Sequence, residues 1–285
     1  MSFNFTAIAD DIAATQTNAN ETVEGGSIDR IPPKGLARLR FTGYIEAGKA
    51  KKSFKGEEKV EDRVLLIFEL SGKNYEPHVT EDGEKIPYRI TVRLNKSNHE
   101  KALYPKVFRA MNYDGKATSF VQLLGQPFLA NVGHFTYKDK EGKDKTTANF
   151  RDEAGNLTIR APRVETLDED GEIKVVPVKV DAAISPQRCL VWNSKQEWLG
   201  QMWESLRIPG AEDGGYFHKM VKEAINFEGS AIEEYLATKG EDLGIPPATD
   251  AKAPKESPAT GGKGAKGASA ETQKDEDAIL DELGL

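Results

Sequence analysis

The chain holds a single cysteine, Cys189, so no internal disulfide framework can form. Its flank, Arg-Cys-Leu-Val-Trp, reads as a buried strand and its thiol as an inert core group. No stretch approaches the roughly 18 consecutive apolar residues that a membrane span needs. The start, MSFNFTAIADDIAATQ, lacks the basic end and continuous apolar run of a secretory signal. A cytoplasmic chain with no membrane partner is therefore expected. The four histidines, His78, His99, His134 and His218, have no cysteine or second histidine at metal-ligand spacing. No spacing of carboxylates nominates a metal-dependent nuclease. The run 261–267, Gly-Gly-Lys-Gly-Ala-Lys-Gly, lacks the Gly-Lys-Ser/Thr ending of a phosphate loop and follows no strand pattern. These absences argue against an enzyme and against any cofactor or metal.

Charge, by contrast, is abundant and unevenly placed. The net charge of −7 argues against a nucleic-acid binder at first sight. Residues 35–160, however, contain 23 Lys and Arg against 17 Asp and Glu, while the remainder contains 16 against 29. A basic module with acidic flanks points to an anionic ligand, and to an acidic segment able to compete for the same surface.

Residues 1–34 are polar and interrupted by Gly25-Gly26 and Pro32-Pro33, the pattern of a loosely attached leader. Over 35–47, Ala37, Leu39, Phe41, Gly43 and Ile45 fall on one face and Arg38, Arg40, Thr42 and Tyr44 on the other, as in a half-buried strand. Residues 63–70 are apolar enough for a central strand. In a third strand, over 86–94, Ile86, Tyr88, Ile90, Val92 and Leu94 alternate with Arg89, Thr91 and Arg93. The period then turns helical over 99–111, through Leu103, Val107, Ala110 and Met111. Asn98 is placed to cap this helix, and Pro105 is expected to kink or restart it. A short helical turn over 119–124 stops at Gly125, and strands resume at 128–137 and 146–151 around a hairpin turn at 139–144.

Strand, strand, strand, helix, strand, strand is the order of a five-stranded OB-type barrel with its helix between strands three and four. A β-sandwich is the alternative, disfavoured by the position of the helix. The expected fold is mainly β with added helices, the barrel and an added hairpin (157–163 and 173–180, turning at 168–171) occupying 35–180. Over 181–245, two apolar stripes predict helices packed on the barrel. They are Trp198, Leu199, Met202, Trp203 and Leu206, then Phe217, Met220, Val221, Ala224 and Ile225. A third short helix is expected over 231–238. Residues 246–270 have the Pro, Ala, Gly, Lys and Ser content of a flexible linker. The end, 271–285, combines Asp275, Glu276, Asp277, Asp281 and Glu282 with Ile279, Leu280, Leu283 and Leu285, a tail suited to recruiting a partner protein.

OB-type barrels bind single strands across strands two and three, flanked by the loops between strands one and two and between strands four and five. The first of these loops carries Lys49, Lys51, Lys52, Phe54 and Lys55, and the second Tyr137, Lys138 and Lys140. Outward strand faces add Arg38, Arg40, Tyr44, Arg89, Arg93 and Phe135. Cations neutralise phosphates and exposed rings stack on bases of any identity.

Several runs resemble a family of bacteriophage proteins with an OB-type fold. They are Leu123-Leu124-Gly125-Gln126-Pro127-Phe128-Leu129-Ala130-Asn131-Val132, Thr147-Ala148-Asn149-Phe150, Phe41-Thr42-Gly43-Tyr44-Ile45-Glu46 and Leu66-Ile67-Phe68-Glu69-Leu70. The resemblance spans roughly 35–151. It implies a single-stranded DNA-binding protein of phage replication or recombination, acting in the host cytoplasm. Replication or recombination proteins are the expected tail partners, and a homo-oligomer is left open. The tail is similar in design to the acidic tips of such proteins. Those usually end on an aromatic residue, whereas this chain ends Leu283-Gly284-Leu285. A recombination mediator or strand-annealing protein, and a protein-interaction adaptor on the same fold, remain as alternatives.

Overall fold

The structure, a computed structural model, describes residues 30–54, 57–139, 142–167 and 172–239. Contacts divide the chain into Met1–Ile31 and Pro32–Leu285, and every element named below belongs to the second unit.

Two long strands, β1 (Gly35–Phe54) and β2 (Glu57–Ser71), pair antiparallel along their whole length, well past the 35–47 and 63–70 read from the sequence. β3 (His78–Val79) and β4 (Lys85–Ile86) form a small separate hairpin. Ile86 is drawn into that hairpin, so the third long strand begins only at β5 (Arg89–Asn95), paired with β2. The helix α1 (Leu103–Met111) starts with no side-chain cap; Asn98 lies upstream of it. Pro105 sits in its first turn, where no N–H partner is lost, so it neither kinks nor restarts the helix. A 3-10 turn, Phe120–Leu123, is closed by the Ser119–Gln122 capping box. β6 (Pro127–Lys138) pairs with β1, and β7 (Asp144–Asn149) with β6. The sheet order is β5-β2-β1-β6-β7, and the sheet is not closed. β8 (Arg163–Leu167) and β9 (Ile173–Pro177) form the added hairpin. β10 (Arg188–Leu190) runs parallel to β1 over Gly43–Ile45, taking the edge that β6 leaves after Arg40. Three helices follow: α2 (Gln196–Ser205), α3 (Tyr216–Lys222) and α4 (Ala231–Lys239).

Two apolar cores lie on opposite faces of the sheet. The first joins Leu39, Phe41, Leu66, Phe68, Ile90, Val92, Val107, Met111, Phe120, Phe128 and Phe150. The second joins Ile45, Ala47, Leu65 and Ile67 to Leu190, Trp192, Leu199, Trp203, Leu206, Val221 and Leu236, so the C-terminal helices pack on the sheet's outer face. Within the expected stripes, Trp198 and Ile225 are instead half-exposed.

β1 serves both cores because it is bulged. Between Phe41 and Gly43 the pairing with β2 shifts by one residue, leaving Thr42 unpaired. An extra residue reverses the alternation beyond it. Tyr44 therefore enters the first core and Ile45 the second, the reverse of the faces read from strict alternation. Gly43 is required here, since a Cβ would stand 2.9 Å from Cδ1 of Ile67. A second shift lies between Glu46 and Gly48. Gly48 has φ +78°, and its missing Cβ leaves room for Ala224 and Trp192.

Between the bulges sits Glu46, a buried carboxylate. Its Oε1 accepts hydrogen bonds from the Tyr44 hydroxyl at 2.9 Å and from Nζ of Lys96 at 2.6 Å. Its Oε2 accepts from the Trp192 backbone N–H at 3.0 Å, and its carbonyl oxygen from Trp192 Nε1 at 2.7 Å. Burial opposes the charge of Lys96, but Glu46 beside it raises the amine's pKa overall. Replacing Glu46 with Ala should cost roughly 2–4 kcal/mol, because an amine, a hydroxyl and an amide N–H lose their acceptor together. Urea unfolding monitored by tryptophan fluorescence reads this, and an unchanged midpoint would refute the assignment.

Candidate nucleic-acid interface

The helical layer covers the outer face of β2, where Leu65 and Ile67 belong to the second core. The neighbouring edge strand β5 keeps Arg89, Thr91 and Arg93 exposed, alternating with buried Ile90, Val92 and Leu94. A narrow cleft separates β5 from β7, with Thr91 and Arg93 on one wall and Thr147 and Asn149 on the other. On its other flank β5 faces a groove of about 680 Å³ reaching to the helical layer, lined in part by Glu84, Lys85, Arg89, Arg188, Tyr216 and, again, Thr91. Thr91 lines both depressions.

Cross-strand pairing extends this surface onto β6. Phe135 stands opposite Thr147 and Tyr137 opposite Lys145, and directly opposed residues share a face. The Phe135 and Tyr137 rings are half-buried and nearly parallel, with centroids 6.5 Å apart and planes 14° apart. Arg93 on β5 thus faces the cleft, and the flat rings on β6 lie one strand beyond its β7 wall.

Basic side chains gather at the groove, beside one carboxylate, Glu84. Burial lowers the pKa of the Arg188 guanidinium, and the positive charge of Arg89 lowers it further. Arg188 Nη1 is held by the carbonyls of Ser205 at 2.9 Å and Arg207 at 3.0 Å, at the C-terminal end of α2. Arg93 Nη2 reaches the Tyr216 hydroxyl at 3.4 Å. Among the described residues, no carboxylate pairs with Arg89, Arg93 or Arg188.

Several residues expected to bind are placed otherwise. Tyr44 is buried, stacked on Phe120 and hydrogen-bonded to Glu46, because the bulge at Thr42 turns it inward. Burial raises its pKa strongly, and the neighbouring Glu46 charge adds to this. Arg40 is committed to the chain itself, donating to the carbonyls of Gly125, Val180 and Asp181. Arg38 is exposed but lies on the part of β1 paired with β6, away from the β5 cleft. Lys49, Lys51 and Lys52 belong to a two-stranded arm rather than a loop, facing the acidic start of β2. Lys51 lies 3.5 Å from Glu58 and Lys52 3.9 Å from Glu61. The Lys138 amine is 3.0 Å from Asp144. Such surface pairs are weak, typically under about 1 kcal/mol, so they leave these lysines able to exchange partners. Lys55, Lys140 and the tail residues Asp275 to Leu285 lie outside the described residues, as do most of the leader, all of the linker and the hairpin turn at 168–171. Phe54 ends β1, described in its backbone alone.

The sequence reading missed Lys85, Thr91, Arg188, Tyr216 and Phe217. Its one usable signal was the pair Tyr216-Phe217 directly after Gly214-Gly215, since Tyr216 is a large ring placed just ahead of the apolar stripe of α3. No group of His, Cys, Asp and Glu suited to a metal occurs among the described residues.

Tyr44→Ala should lower stability by about 3 kcal/mol, as for a buried aromatic. Measured on the folded fraction, its affinity for an oligonucleotide should match that of the unaltered chain; selective loss of binding with full stability would restore Tyr44 to the surface. Burial, with Glu46 nearby, pushes the Cys189 thiol up to about 11. Its thiolate at pH 8 is then roughly a hundredfold scarcer than in an unfolded chain. Ellman's reagent should react much more slowly with native than with urea-unfolded protein, and equal rates would contradict the partly buried placement. Comparison with family models, curated proteins and solved structures finds no match, so the functional reading rests on this geometry.

Proposed function

We propose that the chain binds single-stranded DNA without base preference and without catalysis, along the exposed face of β5 and the β6–β7 hairpin. The observation that carries this reading is a cleft that sets Arg93 of β5, which has no carboxylate partner among the described residues, across from Thr147 and Asn149 of β7, with the stacked Phe135 and Tyr137 rings on the neighbouring strand β6. Guanidiniums neutralise phosphates and release counterions; ring faces accept any base, because every base has a π-face.

The order β5-β2-β1-β6-β7, with α1 between β5 and β6, supports an OB-type barrel opened between its third and fifth strands. In such a barrel the ligand crosses strands two and three. Here the C-terminal layer occupies the strand-two half of that face, which moves the track to the β5 edge. Coating of single strands during phage replication or recombination is the corresponding role. The exposed β8–β9 hairpin favours one additional activity, protein contact, because Ile173 and Val175 are 70% and 51% exposed.

Fluorescence anisotropy with a labelled oligo-dT strand and a matching duplex, at two salt concentrations, tests the reading. Affinity for the single strand should exceed that for the duplex and fall steeply with salt. Arg93→Ala should flatten the log-affinity versus log-salt slope by ~0.7 if it neutralises one phosphate. Phe135→Ala should cost ~1–3 kcal/mol of binding at either salt. Equal duplex affinity, or binding indifferent to salt, would remove the proposal.

A further inference from the structure

We infer that the groove between β5 and the helical layer is a second nucleotide subsite, which continues the single-strand track past Thr91 and places a base against Tyr216. This rests on the single-strand reading above and assigns a new contact to the C-terminal helices.

Three observations converge on the groove. Thr91 lines both the β5–β7 cleft and the groove, so the two depressions adjoin across β5. The groove, at about 680 Å³, is large enough for a nucleotide. Its chemistry is divided in the way a nucleotide is. Lys85, Arg89 and Arg188 bring positive charge against one lining carboxylate, Glu84, and the field of Arg89 already acts on Arg188. A phosphate between these guanidiniums would relieve that repulsion and form charge-assisted hydrogen bonds.

Tyr216 supplies the flat surface. It is 52% exposed despite its size, and it lies at the start of α3, beside Phe217, at 5.6 Å between ring centroids. Phe217 faces the other way chemically, with the Arg188 guanidinium 5.4 Å from its ring centroid. The ring of Phe217 is thus committed to the fold while that of Tyr216 is presented to the groove. A hydrogen bond to the Tyr216 hydroxyl, from Arg93, joins the groove's aromatic to the cleft's arginine.

The test uses the full chain and fluorescein-labelled oligo-dT strands of about 4 to 16 nucleotides, the span of site sizes for such folds. Tyr216→Ala and Tyr216→Phe are compared with the unaltered chain and with Trp198→Ala, an exposed ring on α2 that does not line the groove. Short strands should bind the unaltered chain and Tyr216→Ala alike. With longer strands the unaltered chain should gain affinity and Tyr216→Ala should fall behind it by roughly 5- to 150-fold. Tyr216→Phe and Trp198→Ala should follow the unaltered chain. Photo-crosslinking of a strand carrying 5-iodouridine should yield a peptide containing Tyr216. If the unaltered chain binds long strands and Tyr216→Ala binds them equally well, the subsite is refuted and the cleft reading stands. If the unaltered chain binds no strand of any length, both fall.

Discussion

The fold depends on satisfying one buried carboxylate. Glu46 sits where the first core, the end of β5 and the helical layer meet. It accepts from Tyr44 on its own strand, from Lys96 just beyond β5, and from Trp192 just after β10. A carboxylate out of water is tolerated only when its lone pairs are filled. Filling them requires all three segments to arrive together. The second bulge, at Gly48, follows from the same crowding, since the backbone there passes against Trp192 and Ala224 with no space for a side chain.

The outer layer decides where a ligand can reach the sheet. Glu69, also buried, accepts from the backbone N–H groups of Ile184 and Ser185 at 2.7 Å each. Arg40 clamps the carbonyls of Val180 and Asp181. These contacts carry the chain from the β8–β9 hairpin across the sheet to β10 and α2. The helices then bury Leu65 and Ile67, and the open face is reduced to β5, β7 and the end of β6. A side chain's availability for a ligand is thus set by chain more than a hundred residues downstream as much as by its own strand.

Charge follows a similar logic of local answer. The lysine-rich arm of β1 is met by Glu57, Glu58 and Glu61 on β2, and the β6–β7 turn pairs Lys138 with Asp144 and Lys145 with Asp139. The β5 arginines and Arg188 have no such carboxylate among the described residues. Their charge is therefore not tied up in an ion pair, although Glu84 lines the same groove and Glu69 stands opposite Arg89 on β2.

The sequence by itself determined the periodic parts. The β5 alternation of Arg89, Thr91 and Arg93 with Ile90, Val92 and Leu94, the central place of β2, the α1 stripe of Leu103, Val107 and Met111, and the β6–β7 hairpin are all written in local spacing. Period and local chemistry fix which residues share a face and where a turn falls. Tertiary structure alone decided the faces beyond a bulge, where one unpaired residue, Thr42, sent Tyr44 inward and Ile45 outward. It also decided the partners of Arg40 and Glu69, found more than a hundred residues away, and the meeting of Arg89 with Arg188 and Tyr216. No spacing rule encodes these, because they arise only when separate layers pack and each buried charge must find its partner.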